Sequence, residues 1–389
     1  MRRAALVLAA LLVLLPASSA LAQIPDDTEL DAEMERQLDE YDLADWELYY
    51  AGLPEEVRAL WGGGVDELVA GFIQGGAGAD SATDTDIFDR VWALVLSGLR
   101  RSAAPLGMML GIALLSGLSG VITGGRSELS EAANFVCLGM FAAAAVSILL
   151  RLVSLSRDTV EQLARFIQAS SPVIATMIAA TGSVAGGGLV QPLTALISDT
   201  MTGIFKTAVL PLILAAAAIA VAGSFSGKRQ LARLSDTIHS LIKWITGIAF
   251  TVFLGIISIR GISAAGADSL SVRTLKYTLD KGIPIVGGAV SGTLDTARGC
   301  AVLIKNAAGI TAILIGLGLL LVPLIEIAGA SITLRLASAA SEPIADERMS
   351  RLMGRIADIC GYLAAAVIVT GLMFVITLGV FIAMGKVGV

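Results

Sequence analysis

Gly287 and Gly292 have the spacing of the outer glycines of G-x-x-x-x-G-K-[ST], a loop whose backbone N–H groups and Lys cradle phosphate. Thr293 stands where that Lys must be, Ala289 interrupts any G-x-G-x-x-G frame, and the stretch follows no strand. Asp280 and Asp295 are candidate paired carboxylates, but their distance along the chain reads better as separate loop charges. Ser226 in "GSFSGK" lacks the strand–turn–helix setting of a hydrolase nucleophile. His239, the single histidine, has no His or Cys co-ligand nearby and reads as a polar loop residue. Cys137, Cys300 and Cys360 show neither disulfide-framework nor metal-ligand spacing. No catalytic, cofactor-binding or metal-binding set emerges, and the chain reads as a non-enzyme. Glu326 and Arg260, charges near the ends of apolar runs, remain as candidates. Intramembrane charges mark proton or ion pathways unless they snorkel to the interface. Snorkelling suits Arg260, whereas Glu326 is open between the two.

The elements that would position these residues are apolar. Of 389 residues, 56% are hydrophobic and 15% charged, against about 25% charged in a soluble globular protein. The hydrophobicity comes from Ala, Val, Leu and Ile with 42 Gly, small residues that suit close helix packing in lipid. The net charge of −6 conceals an asymmetry: residues 23–90 hold nineteen acidic side chains against three basic, residues 91–389 fourteen against twenty-two. The basic residues are scattered, so a nucleic-acid partner is excluded.

Residues 1–22 read as a cleaved signal peptide, with Arg2 and Arg3, an apolar core, Pro16 and the small-x-small pattern Ala20-Leu21-Ala22. Residues 23–90 then form an acidic extracytoplasmic head. Leu53-Pro54-Glu55-Glu56-Val57 predicts a helix start, Trp61-Gly62-Gly63-Gly64 a break, and 65–73 a second helix. Trp46, Tyr49, Tyr50 and Trp61 suggest a docking surface for a partner on an otherwise solvated region.

Residues 91–389 read as a polytopic membrane domain. Six spans are expected near 102–122, 132–153, 204–223, 245–265, 309–330 and 359–384. Residues 157–180 differ, because Val160, Leu163, Ala164 and Ile167 share one helical face opposite charges, an interfacial pattern. Gly186–Gly188 and Pro192 are expected to interrupt the chain, and 224–244 and 331–358 to be basic cytoplasmic connectors. Between the fourth and fifth spans, "LDKGIPIVGGAVSGTLDTARG" (279–299) is too charged to cross and too apolar for a plain connector. It is expected to be a broken or re-entrant hairpin, with Pro284 starting a short helix.

The run 266–309 resembles the stage III sporulation protein AE family of endospore-forming bacteria. The resemblance rests on Asp268 before the Arg273–Lys276 pair, on Ile283-Pro284-Ile285-Val286-Gly287, and on Ser291, Gly292 and Asp295. It ends on Lys305-Asn306 with Gly309. Glu342-Pro343-Ile344 with Asp346 is similar to the family's "EPI-x-D" element. The resemblance covers nearly the whole chain and is weakest in the acidic head.

The fold expected is all-α: a polytopic integral membrane protein with about six transmembrane helices, amphipathic and re-entrant segments and a signal peptide. The resemblance implies a component of a channel or secretion-like complex linking mother cell and forespore, needed for late forespore development. It implies a place in the mother-cell membrane facing the forespore. The implied partners are the other stage III A sporulation proteins, including an ATPase and ring-forming subunits, and indirectly stage II sporulation protein Q. A stand-alone secondary transporter is the alternative, since broken helices are a transporter design.

Overall fold

A computed structural model describes residues 36–38, 40–73, 92–94, 96–98, 100, 107–118, 127–226, 229–282, 287–342 and 347–384. The side chains of 127–130, 184–185, 229–230, 232 and 259–297 are excepted. Every regular element among the described residues is helical, as expected. Residues 1–22, expected as a signal peptide, lie outside the described residues.

Three short helices make the head: α1 (Ala44–Ala51), α2 (Glu55–Trp61) and α3 (Val65–Ile73). Their ends follow local chemistry. Ala44 N–H donates to Asp42 Oδ1 at 3.1 Å, and α2 begins after Pro54 with Glu55 and Glu56 in its first turn, where acids favour the positive helix end. Gly62 and Gly63 have φ of 67° and 61°, a left-handed conformation that ends α2 at little cost only because both are glycine. Glu47 of α1 then accepts the Val65 N–H at 2.8 Å, satisfying the start of α3.

The short apolar helix α4 (Gly107–Leu118) falls within the first expected span. Its Ser116 hydroxyl donates to Asn134 Oδ1 of α5 at 2.9 Å. The rest of the protein is built from long rods. These are α5 (Ser127–Ala180), α6 (Val184–Ile204) running through a π turn (Phe205–Val209) into α7 (Leu210–Ser226), α8 (Arg229–Gly282), α9 (Gly287–Ser341) and α10 (Glu347–Ala383). Among the described residues, five apolar stretches are long enough to cross a membrane: Glu131–Ala180, Gly186–Ser226, Arg233–Ser258, Arg298–Ser341 and Glu347–Ala383. They contain most of the second to sixth expected spans.

Two antiparallel hairpins organise the rods. In the first, α5 pairs with α6–α7. Thr194 donates to Ser171 Oγ at 3.1 Å, and the Phe135 and Phe225 rings meet edge to face at 5.4 Å. In the second, α9 pairs with α10 through Ser331 Oγ to Ala357 O at 2.8 Å and Ser338 Oγ to Ser350 O at 2.8 Å. These hydroxyls give small-residue contacts a directional component without widening the interface. The hairpins pack together along α5, and α8 lies against α7 and α10.

Several expectations change here. The span at 132–153 and the amphipathic stretch 157–180 are one helix of 54 residues, with Pro172 inside it. Val160, Leu163, Ala164 and Ile167 do share a buried face, but protein covers it, not a membrane surface. Gly186–Gly188 and Pro192 lie inside α6. The break comes earlier, at Gly182, whose φ is 89°. The glycines serve close packing instead: a Cβ on Gly187 would sit 2.7 Å from the Ala175 carbonyl of α5. The stretches expected as connectors are largely helical. α8 begins at Arg229, so His239 is a helix residue, and α9 continues to Ser341 before α10 starts at Glu347. Around 279–299, α8 ends at Gly282 and α9 begins at Gly287, with 283–286 outside the described residues.

Candidate functional site

Glu326 does not snorkel. It lies on α9, one turn after Pro323, and its side chain keeps 11% of its exposure. Arg151 of α5 reaches it, Nη2 to a carboxylate oxygen at 2.6 Å. Charge buried in an apolar setting is tolerated when paired, and the pair ties the two hairpins together. A small cavity adjoins Glu326, lined also by Glu56 of α2 and by Ser97 and Gly98. Gly98 is needed there, because a Cβ would meet Ile325 Cγ2 at 2.4 Å. The arrangement is that of a paired, nearly buried carboxylate that latches two helices together.

The motif Lys305-Asn306-x-x-Gly309 acquires a structural meaning. Lys305 is buried on α9, and its Nζ donates to Ile382 O at 2.8 Å and to Met384 O. A cation at a helix C-terminus satisfies carbonyls that have no intrahelical partner and opposes the negative dipole end. Gly309, one turn further on the same face, makes room for the contact: its Cβ would fall 2.3 Å from Ile382 Cγ1. Asn306 Oδ1 is buried without a hydrogen-bond partner among the described residues.

A second charged cluster escaped the sequence reading. Glu161 of α5 accepts from Lys206 Nζ at 2.7 Å and Arg157 Nε at 2.9 Å, with Arg165 Nη1 at 3.8 Å. Lys206 sits in the π turn before Pro211. Proline supplies no N–H for the preceding turn, and a widened turn is a common accommodation. The i, i+4 series Arg157–Glu161–Arg165 was legible; its meeting with Lys206 was not.

The described helices of the head pack against the rest of the chain. Trp46 and Tyr49 hold ring centroids 6.3 Å and 5.1 Å from that of Phe166 on α5, and Phe166 lies 6.0 Å from Phe374 of α10. Trp61 and Leu53 cover Gly318 of α9, where a Cβ would come within 2.7 Å and 2.9 Å of them. The aromatics expected to dock a partner therefore dock the chain's own helices. Tyr50, buried, donates to Gly62 O at 3.0 Å. Its pKa is raised first by burial, opposed by Arg58 and reinforced by Glu47 and Glu67.

The remaining candidates are spread out. Arg260, Asp268, Arg273 and Lys276 lie on α8, with Arg273 and Lys276 one turn apart; Gly287, Gly292 and Asp295 fall in the first turns of α9. Glu342 is exposed just past α9, its N–H donating to Ser338 O at 3.1 Å. Pro284, Pro343 and Asp346 lie outside the described residues. Among the described motif residues, Lys305 and Gly309 are seen at an interhelical contact. The His239 ring lies tilted against that of Tyr362, 4.7 Å between centroids, with Lys243 Nζ 5.2 Å from the same tyrosine ring. Among the described residues no three His, Cys, Asp or Glu groups converge as metal ligands.

Comparison with known proteins agrees with the motif. Residues 66–385 match the model of the family described as stage III sporulation protein AE. The chain is 24% identical over 234 residues to the stage III sporulation protein AE of Bacillus subtilis (strain 168), an alignment covering 60% of this chain and 59% of that protein. No solved structure matches. With the family model spanning α3 to the end of α10, the chain belongs to the stage III sporulation protein AE family.

Proposed function

We propose that the chain is a membrane component of a channel or secretion-like complex that links mother cell and forespore and supports late forespore development. The observation that carries this reading is the family match over residues 66–385. Five helices long and apolar enough to cross a membrane are consistent with it. In this reading the chain sits in the mother-cell membrane facing the forespore, loses residues 1–22, and keeps the head outside the cytoplasm. Its partners are the other stage III A sporulation proteins, an ATPase and ring-forming subunits among them, and indirectly stage II sporulation protein Q. It contributes architecture, not catalysis. Residues 279–299 join α8 to α9 on one side of the membrane.

The test is purification from sporulating cells in mild detergent. Co-elution with the other stage III A proteins is expected. Elution alone, together with substrate uptake by the reconstituted chain, would favour a stand-alone secondary transporter.

A further inference from the structure

The rods are too long for the bilayer. At 1.5 Å per residue, α5 extends about 80 Å and the apolar stretch Gly186–Ser226 about 60 Å, whereas the hydrocarbon core is about 30 Å thick. Lipid can enclose only part of the bundle, and the exposed side chains say which part.

On α5 the large outward residues up to Leu150 are apolar, Phe135, Val136, Met140 and Leu150, with Ser147, Arg151 and Ser154 outward among or just after them. Further along the same helix the outward residues become Arg157, Asp158, Gln162, Arg165, Gln168 and Thr176. The antiparallel rod changes in the opposite sense. Gln191 and Asp199 face outward on α6, then Pro211, Leu214, Ala218 and Ala222 on α7. Both changes occur at one height, where Lys206 meets Glu161. From Lys206 to the end of α7 at Ser226 the chain carries no further charge, a rise of about 30 Å that equals the hydrocarbon thickness. Beyond Ser226 come the charges of the opposite end, among them Arg233 and the Arg351–Glu347 pair.

The head gives independent support. Glu40, Asp42 and Asp45 line a cavity against Ala169, Pro172 and Thr176 of α5, well past the Glu161 level. Carboxylates cost about 2.5–3.5 kcal/mol each in the middle of a bilayer, so this height is aqueous. On α9 the large exposed apolar residues, Ile332 and Leu336, fall towards the other end. Most of the stretch from Cys300 to Ile315 is buried within the protein, Lys305 included.

We propose that the bilayer encloses only the part of the bundle between the Glu161–Lys206 level and the end of α7 at Ser226, and that the remainder, with α1 of the head docked on it, stands in water. Glu56 of α2 dips below the border beside Glu326. Arg157, Arg165 and Lys206 lie at headgroup height, where long cations reach lipid phosphates. Arg151 lies inside the border and is held by Glu326. The lipid-crossing parts of α9 and α10 accordingly shift from 309–330 and 359–384 towards Ser341 and Glu347.

Leu196 and Leu214 make the test. They sit on one continuous rod with similar exposure, 43% and 38%, on opposite sides of the border. Hydroxyl-radical footprinting of the unmodified full chain in phosphatidylglycerol–phosphatidylethanolamine nanodiscs should oxidise Leu196 about ten-fold faster than Leu214, because water is excluded from hydrocarbon. Met140 should be protected and Leu48 of the head oxidised. Equal rates at the two leucines, whether both protected or both oxidised, overturn the proposal. As a second measurement, Gln168→Cys should react with an impermeant thiol reagent and Ala218→Cys should not. Equal or inverted labelling overturns it as well.

Discussion

The indole of Trp46 lies with its centroid 6.3 Å from the Phe166 ring, fully buried between the acidic head and α5. An acidic segment whose largest apolar side chain is consumed internally is part of the subunit, not a free tail. Its carboxylates face water because its aromatics face the bundle.

Trp46→Ala is expected to destabilise head docking by about 3–5 kcal/mol, the range for deleting a buried aromatic. Limited proteolysis should then cut between α1 and α3 while α5–α10 remain protected. A head as resistant as in the unaltered protein would show that this contact does not hold it.

Removing one member of the Arg151–Glu326 pair should destabilise more than removing both. Glu326→Leu leaves Arg151 without its carboxylate, and Arg151→Leu leaves Glu326 charged and nearly buried. Loss of a hydrogen bond to a charged group costs about 1.5–3 kcal/mol. The double leucine variant should recover most of this in a thermal unfolding assay in detergent. Additive losses would refute the coupling.

Lys305→Met retains the length of the stem and removes the cation that binds Ile382 O and Met384 O. A loss of about 1–2 kcal/mol is expected from helix-end charge interactions of this kind. Hydrogen exchange should accelerate in the last turn of α10 and stay unchanged around Ala357. Uniform acceleration would instead indicate a global defect.

Head docking should weaken in alkali. The pKa of Tyr50 is raised by burial, and those of Tyr41 and Tyr49 are raised for the same leading reason. Raised tyrosine values mean that the folded head holds protons more tightly than the unfolded one. The associated stability is therefore fully present below the ordinary value of 10.0 and declines as pH rises above it. Tyr50→Phe should make this decline shallower at the expense of the bond to Gly62 O. Near-ultraviolet circular dichroism followed from pH 8 upward checks both points.

The sequence by itself determined the helices and many of their ends. Pro54 with two glutamates starts α2, Gly62 and Gly63 stop it, and the spacing of Val160, Leu163, Ala164 and Ile167 marks a buried face. These signals are local: capping acts within a turn, and a 3.6-residue period is visible in any window that contains it. Tertiary structure alone decided what each apolar face meets. Lipid and protein interior are both apolar solvents, so hydropathy scores Ile315 under α10 and Leu214 on the outer surface alike. It also decided that Gly187 allows packing where a break was expected, that Trp46 turns inward, and which charges meet. Glu161 finds Lys206, Glu326 finds Arg151 and Lys305 finds the end of α10 only because antiparallel rods bring distant positions to one height. No local pattern encodes that height, since it follows from the summed packing of five long helices.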